Sequence, residues 1–284
     1  MKEFAGNVAL ITGAAHGIGY SFALEAARRS MKLSLVDIDV PAMEEAAKEL
    51  RGMGTEVLTC PADVSVYEEA KASVDATMKK YGRIDVLLAN AGVCTAGSIL
   101  TMPIKDWEWC LGVNTMGIVH FVHEVLPIME RQKTPAHLMC TASIAGLRGG
   151  MGMNPSYFCS KHAAVSVAES VKSEVEASGS DIGVSVFCPM YVATDLYHCE
   201  DRRPARYWDA ADPFYRSEEY QTGRETFRKN IAAGMPLEGI GPRLFRAIED
   251  NQMYIVTHTE TIPYIESRHR AIEEDAKKEL TIHQ

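Results

Sequence analysis

Tyr157 and Lys161 lie four residues apart in SYFCSKHAAV, Ser156 to Val165. A phenol and an ammonium on one helical face can act as an acid–base pair, because the ammonium stabilises the phenolate and draws a pKa of about 10 toward neutrality. Asn154 and Pro155 read as N-cap and first-turn residue, which predicts a helix that begins just before Tyr157 and points both side chains the same way. The spacing alone also suits an ordinary amphipathic helix, so other groups must decide. TGAAHGIG, residues 12–19, carries Gly13, Gly17 and Gly19 in a G-x-x-x-G-x-G pattern that lets backbone approach a pyrophosphate at a helix N-terminus. Asp37, eighteen residues after Gly19, is placed to accept from both ribose hydroxyls and to repel a 2'-phosphate, which favours NAD over NADP. Its other use, as a helix cap, is weaker because Asp39 is better placed for that.

These residues need elements to hold them. Apolar runs of strand length occur at 7–12, 32–37, 55–60, 83–90, 137–143, 181–188 and 253–257, mostly with helical segments between them. Continuous rather than alternating hydrophobicity indicates strands covered on both faces, joined by right-handed crossovers. The fold class is therefore α/β, a single Rossmann-type, doubly wound parallel sheet of about seven strands with helices on both faces. Ligands bind such sheets beyond the carboxyl ends of the strands, where Asp63 and Asn90-Ala91-Gly92 end the third and fourth. Residues 195 to about 235 read as an inserted substrate lid and about 263–280 as a C-terminal helix, all within one domain spanning 1–284.

With TGAAHGIG, Asp63-Val64, NAG at 90–92, Asn114, Ser143, Tyr157 with Lys161, and Pro189 with Thr194 in order, the chain resembles the short-chain dehydrogenase/reductase family in its single-domain form, over about residues 5–257. The resemblance implies a catalytic set of Asn114, Ser143, Tyr157 and Lys161. Asn114 would bend a helix and hold a water, Ser143 would hold the substrate oxygen, and Lys161 would also bind the nicotinamide ribose. It implies cofactor contacts from Gly13, His16, Gly17, Ile18, Gly19, Asp37, Asp63, Val64, Asn90, Tyr157, Lys161, Pro189, Val192 and Thr194. One departure is Met190, where the family usually has glycine after Pro189.

The implied activity is hydride transfer between NAD and a bulky, hydrophobic secondary alcohol or ketone. The segment from about 236 to 272 is similar to bacterial Cα-dehydrogenases of aryl ethers, with hydroxysteroid dehydrogenases an equal neighbour. Ala145, Leu147, Met153, Met190, Tyr191 and Tyr197 are the expected substrate contacts, with Met151 and the rings Tyr207, Trp208, Phe214 and Tyr215 beside them. Arg148, Arg202 and Arg203 are within reach of a carboxylate on an extended ligand. A non-catalytic NAD-binding protein on the same fold, a sugar epimerase or dehydratase, and a small-alcohol or polyol dehydrogenase are the alternatives.

Composition narrows the partners. Net charge is −9, from 29 Lys and Arg against 38 Asp and Glu, without a basic cluster, which disfavours nucleic acid and anionic membrane. Seven cysteines without a Cys-x-x-Cys pair suit reduced thiols in a cytoplasm, and the N-terminal apolar run is too short for a signal peptide. His120 and His123 lack a third ligand, so no metal is expected. Helices spanning 109–131 and 155–178 carry long apolar faces, and the resemblance implies a homotetramer or homodimer built on them.

Overall fold

The computed structural model describes residues 1–150 and 153–280. Strands and helices alternate from the start: β1 (Val8–Thr12), α1 (Gly17–Arg28), β2 (Lys32–Asp37), α2 (Val40–Gly52), β3 (Val57–Pro61), α3 (Tyr67–Tyr81) and β4 (Val86–Ala89). There follow α4 (Ile104–Leu111), α5 (Gly117–Gln132), β5 (Ala136–Thr141), α6 (Pro155–Ser178) and β6 (Ile182–Cys188). The chain ends with α7 (Glu218–Ala232), α8 (Ile240–Glu249), β7 (Tyr254–Val256) and α9 (Ile262–Leu280). The strands form one seven-stranded parallel sheet, ordered β3-β2-β1-β4-β5-β6-β7. The winding direction reverses between β1 and β4, and the crevice beyond their carboxyl ends is where this architecture binds ligands.

The apolar runs form strands because both faces are covered. Every residue of β1, VALIT, is buried. On one face Trp109 of α4, Phe121 and Val125 of α5, and Val165 and Val171 of α6 pack against the sheet. On the other, Phe22 of α1 stacks on Phe245 of α8 with centroids 4.6 Å apart, over Leu33 and Leu35. The helical run Ile104–Gln132 is long and apolar enough to cross a membrane by length and composition, but Trp109, Ile118, Phe121, Val122, Val125, Ile128 and Met129 of it are spent on this core.

The helix expected over 109–131 forms and carries a π turn, Gly112–Met116, centred on Asn114, the residue that the resemblance gave as bending it. Two segments differ from the sequence reading. The insertion is strand-free, yet it is built: 3₁₀ turns at Leu196–Arg202, Ala205–Tyr207 and Pro213–Arg216 lead into α7. Its helix was hidden because EEYQTGRETFRKNIA is mostly polar and gives a weak apolar stripe. Asp39 caps α2, with Oδ1 accepting from the Ala42 amide at 3.3 Å, as expected. Asn154 occupies the N-cap position of α6 without a side-chain cap bond; its Nδ2 turns to Cys94 Sγ at 3.8 Å.

Candidate active site

A cavity of about 380 Å³ opens at the crevice and runs from the end of β2 to the start of α6. That volume falls within the range of small-molecule sites. At one end, Thr12 Oγ1 accepts from the amides of Asn90 (2.8 Å) and Ala91 (3.0 Å), and Asn90 Nδ2 donates to the carbonyls of Thr12 and Gly13. These bonds tie the ends of β1 and β4 together. Gly13 has φ +62°, and a Cβ there would lie 2.8 Å from Ala91 Cα; one on Gly19 would lie 2.0 Å from the Gly13 carbonyl oxygen. Only glycine fits either place. His16, the N-cap of α1, makes no side-chain cap bond, which leaves first-turn amides without a side-chain acceptor beside the cavity. Such a turn suits a pyrophosphate.

Asp37, nearly buried, accepts from the amides of Asp39 on Oδ1 and Ala15 on Oδ2, both at 2.9 Å. Burial pushes its carboxyl up from the usual range, against the pull of those amides. The neighbouring charges come from the insertion. Arg202 reaches Asp39 Oδ2 at 3.0 Å, Asp195 Oδ2 at 2.8 Å and His16 Nε2 at 2.9 Å. Arg206 donates to Asp63 Oδ2 at 2.5 Å and to Ser65 Oγ at 2.8 Å, while Asp63 Oδ1 accepts from the Ser65 amide. The glycine cradle, the open helix end and Asp37 together fit a dinucleotide.

At the other end lie Ser143, Tyr157 and Lys161. Ser143 caps the 3₁₀ turn Ile144–Gly146, accepting from the Ala145 amide at 3.2 Å and donating to the Pro189 carbonyl at 3.2 Å. Lys161, almost fully buried, donates from Nζ to the Thr141 carbonyl at 2.9 Å and sits 5.6 Å from the centroid of the Tyr157 ring. Burial pushes Lys161 down to about 8. It pushes the Tyr157 phenol well up, with Cys94 adding to the rise and the Ser143 hydroxyl opposing it. In the protein alone burial dominates the phenol, whereas the expected lowering comes from the lysine together with an oxidised nicotinamide.

Asn114 is fully buried behind this end. Its Oδ1 accepts from the Val93 amide at 2.8 Å, and its Nδ2 donates to the Val93 carbonyl and to Ser160 Oγ, both at 2.9 Å. Ser160 Oγ in turn donates to the Tyr157 carbonyl, and Thr115 Oγ1 to the Ser160 carbonyl, so the π turn is stitched to α6 below the tyrosine. Ser160 and Thr115 escaped the sequence reading; Ser160, three residues past Tyr157, carried the only signal.

Of the other expected residues, Gly17, Ile18, Val64, Pro189, Met190, Tyr191, Val192, Thr194, Ala145 and Met153 line the cavity. Gly19 shapes the turn from behind. Leu147 and Tyr197 do not line it: Leu147 packs against the core, and Tyr197 lies beside His198 with centroids 4.2 Å apart. Met151 lies outside the described residues. The rings of the insertion also turn away. Tyr207 packs by Gly112 and Ser65, Trp208 lies 4.4 Å from Tyr215, and Phe214 lies 5.3 Å from Tyr220. Their side chains anchor the insertion, and Phe158 and, from one face of α7, Thr226, Phe227, Asn230 and Ile231 line the cavity instead. The i, i+4 pair Phe227 and Ile231 was the available clue. Arg203 does not reach the cavity: it is buried against Asp106, with its guanidinium 4.6 Å from the Trp109 ring and 5.1 Å from that of Trp208.

The family model described as short chain dehydrogenase matches residues 7–204. The chain is 43% identical over 282 residues to a CLA biosynthesis dehydrogenase/reductase of Lactiplantibacillus plantarum, covering 99% of this chain and 98% of that one. It is 28% identical over 273 residues to a C alpha-dehydrogenase of Sphingobium sp., covering 96% of this chain and 87% of the relative. A solved short chain dehydrogenase/reductase from Burkholderia phymatum in complex with NAD superposes with a TM-score of 0.93 at 34% identity, covering 97% of both chains.

Proposed function

This chain belongs to the short-chain dehydrogenase family, an oxidoreductase of CH–OH groups with a nicotinamide cofactor, and on that premise we propose that it uses NAD to interconvert bulky, hydrophobic secondary alcohols and their ketones. The observation that carries the reading is the single cavity with the glycine cradle and Asp37 at one end and Ser143, Tyr157 and Lys161 at the other. Asp37, Asp39 and Asp195 outnumber Arg202 and His16 where a 2'-phosphate would sit, so the local charge supports the unphosphorylated cofactor. Between the ends, Met153, Phe158, Met190 and Phe227 offer apolar side chains and flexible thioethers to a large substrate.

The bound nicotinamide supplies the hydride acceptor or donor. The chain's own part is to hold and move a proton. Ser143 Oγ turns its hydrogen from the Pro189 carbonyl to hold the substrate oxygen. Tyr157 Oη takes the hydroxyl proton in oxidation and returns it in reduction. Lys161, with one of its three donors on the Thr141 carbonyl, keeps two for a ribose and for the positive field that the phenolate needs. Asn114 holds the loop at Val93, and through the π turn it fixes the backbone under Tyr157. Seven free cysteines, six of them buried, support a reducing cytoplasm as the enzyme's location.

The test is initial rates with NAD and NADP on a panel of secondary alcohols. We expect NAD to be preferred by at least about tenfold, about 1.4 kcal/mol. A diaryl or steroid-sized alcohol should exceed 2-butanol in kcat/KM by at least about a hundredfold, about 2.7 kcal/mol. Equal efficiency with both cofactors, or a preference for the small alcohol or a polyol, overturns the corresponding half of the proposal.

A further inference from the structure

Asp37 is the carboxylate on which the cofactor reading rests, and a charge cluster from two distant parts of the chain sits directly beside it. The Asp39 amide donates to Asp37 Oδ1 at 2.9 Å, and the Asp39 carboxylate meets Arg202 of the insertion, with Nη1 3.0 Å from Oδ2. Asp195 takes both terminal nitrogens of the same guanidinium: its Oδ2 accepts from Nη1 at 2.9 Å and from Nη2 at 2.8 Å, and its carbonyl lies 3.4 Å from Nη2. His16 Nε2 completes the cluster, 2.9 Å from Nη1 and 3.0 Å from Asp39 Oδ2. The terminal N–H groups of a guanidinium are the fork that takes an oxyanion, and here they are spent on Asp39, Asp195 and His16. His16, Asp37, Asp195 and Arg202 line the cofactor end of the cavity, so a ligand seated on Asp37 meets the cluster.

A guanidinium beside an imidazole suits a phosphate, and this pair is occupied from within the protein. We propose that Arg202 is a latent ligand for a 2'-phosphate and that Asp195 and Asp39, by engaging it, are the residues that exclude NADP, while Asp37 holds the ribose hydroxyls. The proposal rests on the reading of this end of the cavity as the adenosine site and names the residues that set its choice of cofactor. Asp37 alone is an incomplete barrier, because it is nearly buried and two backbone amides already draw on its charge. A 2'-phosphate has to displace Asp195 or Asp39 from the guanidinium, which leaves a released carboxylate beside a dianion. Asp195 and Arg202 belong to the segment that also bounds the substrate through Leu196 and Cys199. One piece of chain therefore reads the dinucleotide and walls the alcohol.

The experiment measures Kd for adenosine 2',5'-bisphosphate and for adenosine 5'-monophosphate on the full-length protein by isothermal titration, beside kcat/KM with NADP and NAD on one secondary alcohol. Asp195→Asn keeps the shape of the side chain and removes its charge, and Asp39→Asn does the same while retaining a cap for α2. Either should shift the bisphosphate-to-monophosphate affinity ratio, and the NADP-to-NAD ratio with it, toward the phosphorylated ligand by at least about tenfold. Arg202→Met added to Asp195→Asn should take the gain away, because the freed fork is what binds the phosphate. A merely structural role would weaken both ligands together and leave the ratios in place. Where one aspartate variant fails to fold, the other carries the test. Ratios that do not move, or a gain that survives Arg202→Met, overturn the latent site and leave the NAD-dependent dehydrogenase standing. A wild type that prefers the 2'-phosphorylated nucleotide, or binds neither, overturns both.

Discussion

The Tyr157 phenol sits where burial opposes its ionisation, and the ammonium beside it is itself pushed down to about 8. Each group therefore needs the other. Tyr157→Phe should lower kcat by about 10² to 10⁴ while leaving cofactor affinity nearly intact. Lys161→Ala should lower turnover and weaken cofactor binding together, which isothermal titration with NAD beside steady-state rates separates. A Tyr157→Phe enzyme with more than a few per cent of wild-type activity contradicts the role. These residues were readable because the chemistry depends on spacings that a helix turns into geometry: four residues from Tyr157 to Lys161, with Pro155 in the first turn. The wall of the cavity was not. Leu147 and Tyr197 were expected there and Phe227 was missed, because which residues face inward depends on the phase of α7 and of the 3₁₀ turns. Arg202 and Arg203 illustrate this: neighbours in sequence, one joins a surface charge cluster and the other is buried.

At the scale of elements, the insertion is held by that second arginine. Arg203 and Asp106 are both buried; Tyr215 Oη donates to the same Asp106 Oδ1 at 2.6 Å, and three aromatic rings surround the guanidinium. Arg203 joins the turns after β6 to α4 near the start of the insertion and Tyr215 does so near its middle, so the segment that closes the cavity is fixed at two places. Removing one partner strands a buried charge. Arg203→Met should cost about 3–5 kcal/mol in denaturant unfolding. The alcohol's KM should rise more than kcat falls, because the wall loosens while the Tyr157 end, carried by α6, stays in place. An unfolding midpoint within error of wild type shows that the ion pair does not anchor the segment. Strand count and order of elements were legible from continuous apolar runs, whereas the π turn at Asn114 had no signal in hydrophobicity. It shows in the bonds from Asn114 to Val93 and Ser160, which sequence spacing does not encode.

For the whole molecule, one sheet carries the entire crevice, and we expect a single cooperative unfolding transition for residues 1–284. Around the start of the Ile104–Gln132 run, Ile99, Leu100, Ile104 and Met116 remain exposed. Large apolar side chains left exposed suit a contact surface. We expect a homotetramer or homodimer with α5 and α6 at the contact, and sedimentation equilibrium at micromolar concentration reads it directly. A strictly monomeric mass contradicts the assembly.

The stretch from Asp195 to Tyr207 serves both ends of the cavity at once. Arg202 and Arg206 hold Asp39 and Asp63 at the cofactor end, while Leu196, Cys199 and Pro204 form part of the wall. An alcohol seated against that wall resists the lifting that would admit a dinucleotide behind it. The kinetic scheme should therefore be a compulsory-order sequence in which NAD enters first and NADH departs last. Product inhibition would then be competitive for NADH against NAD, with the ketone noncompetitive toward NAD, and a competitive pattern between ketone and NAD would mean that the two ligands come and go independently.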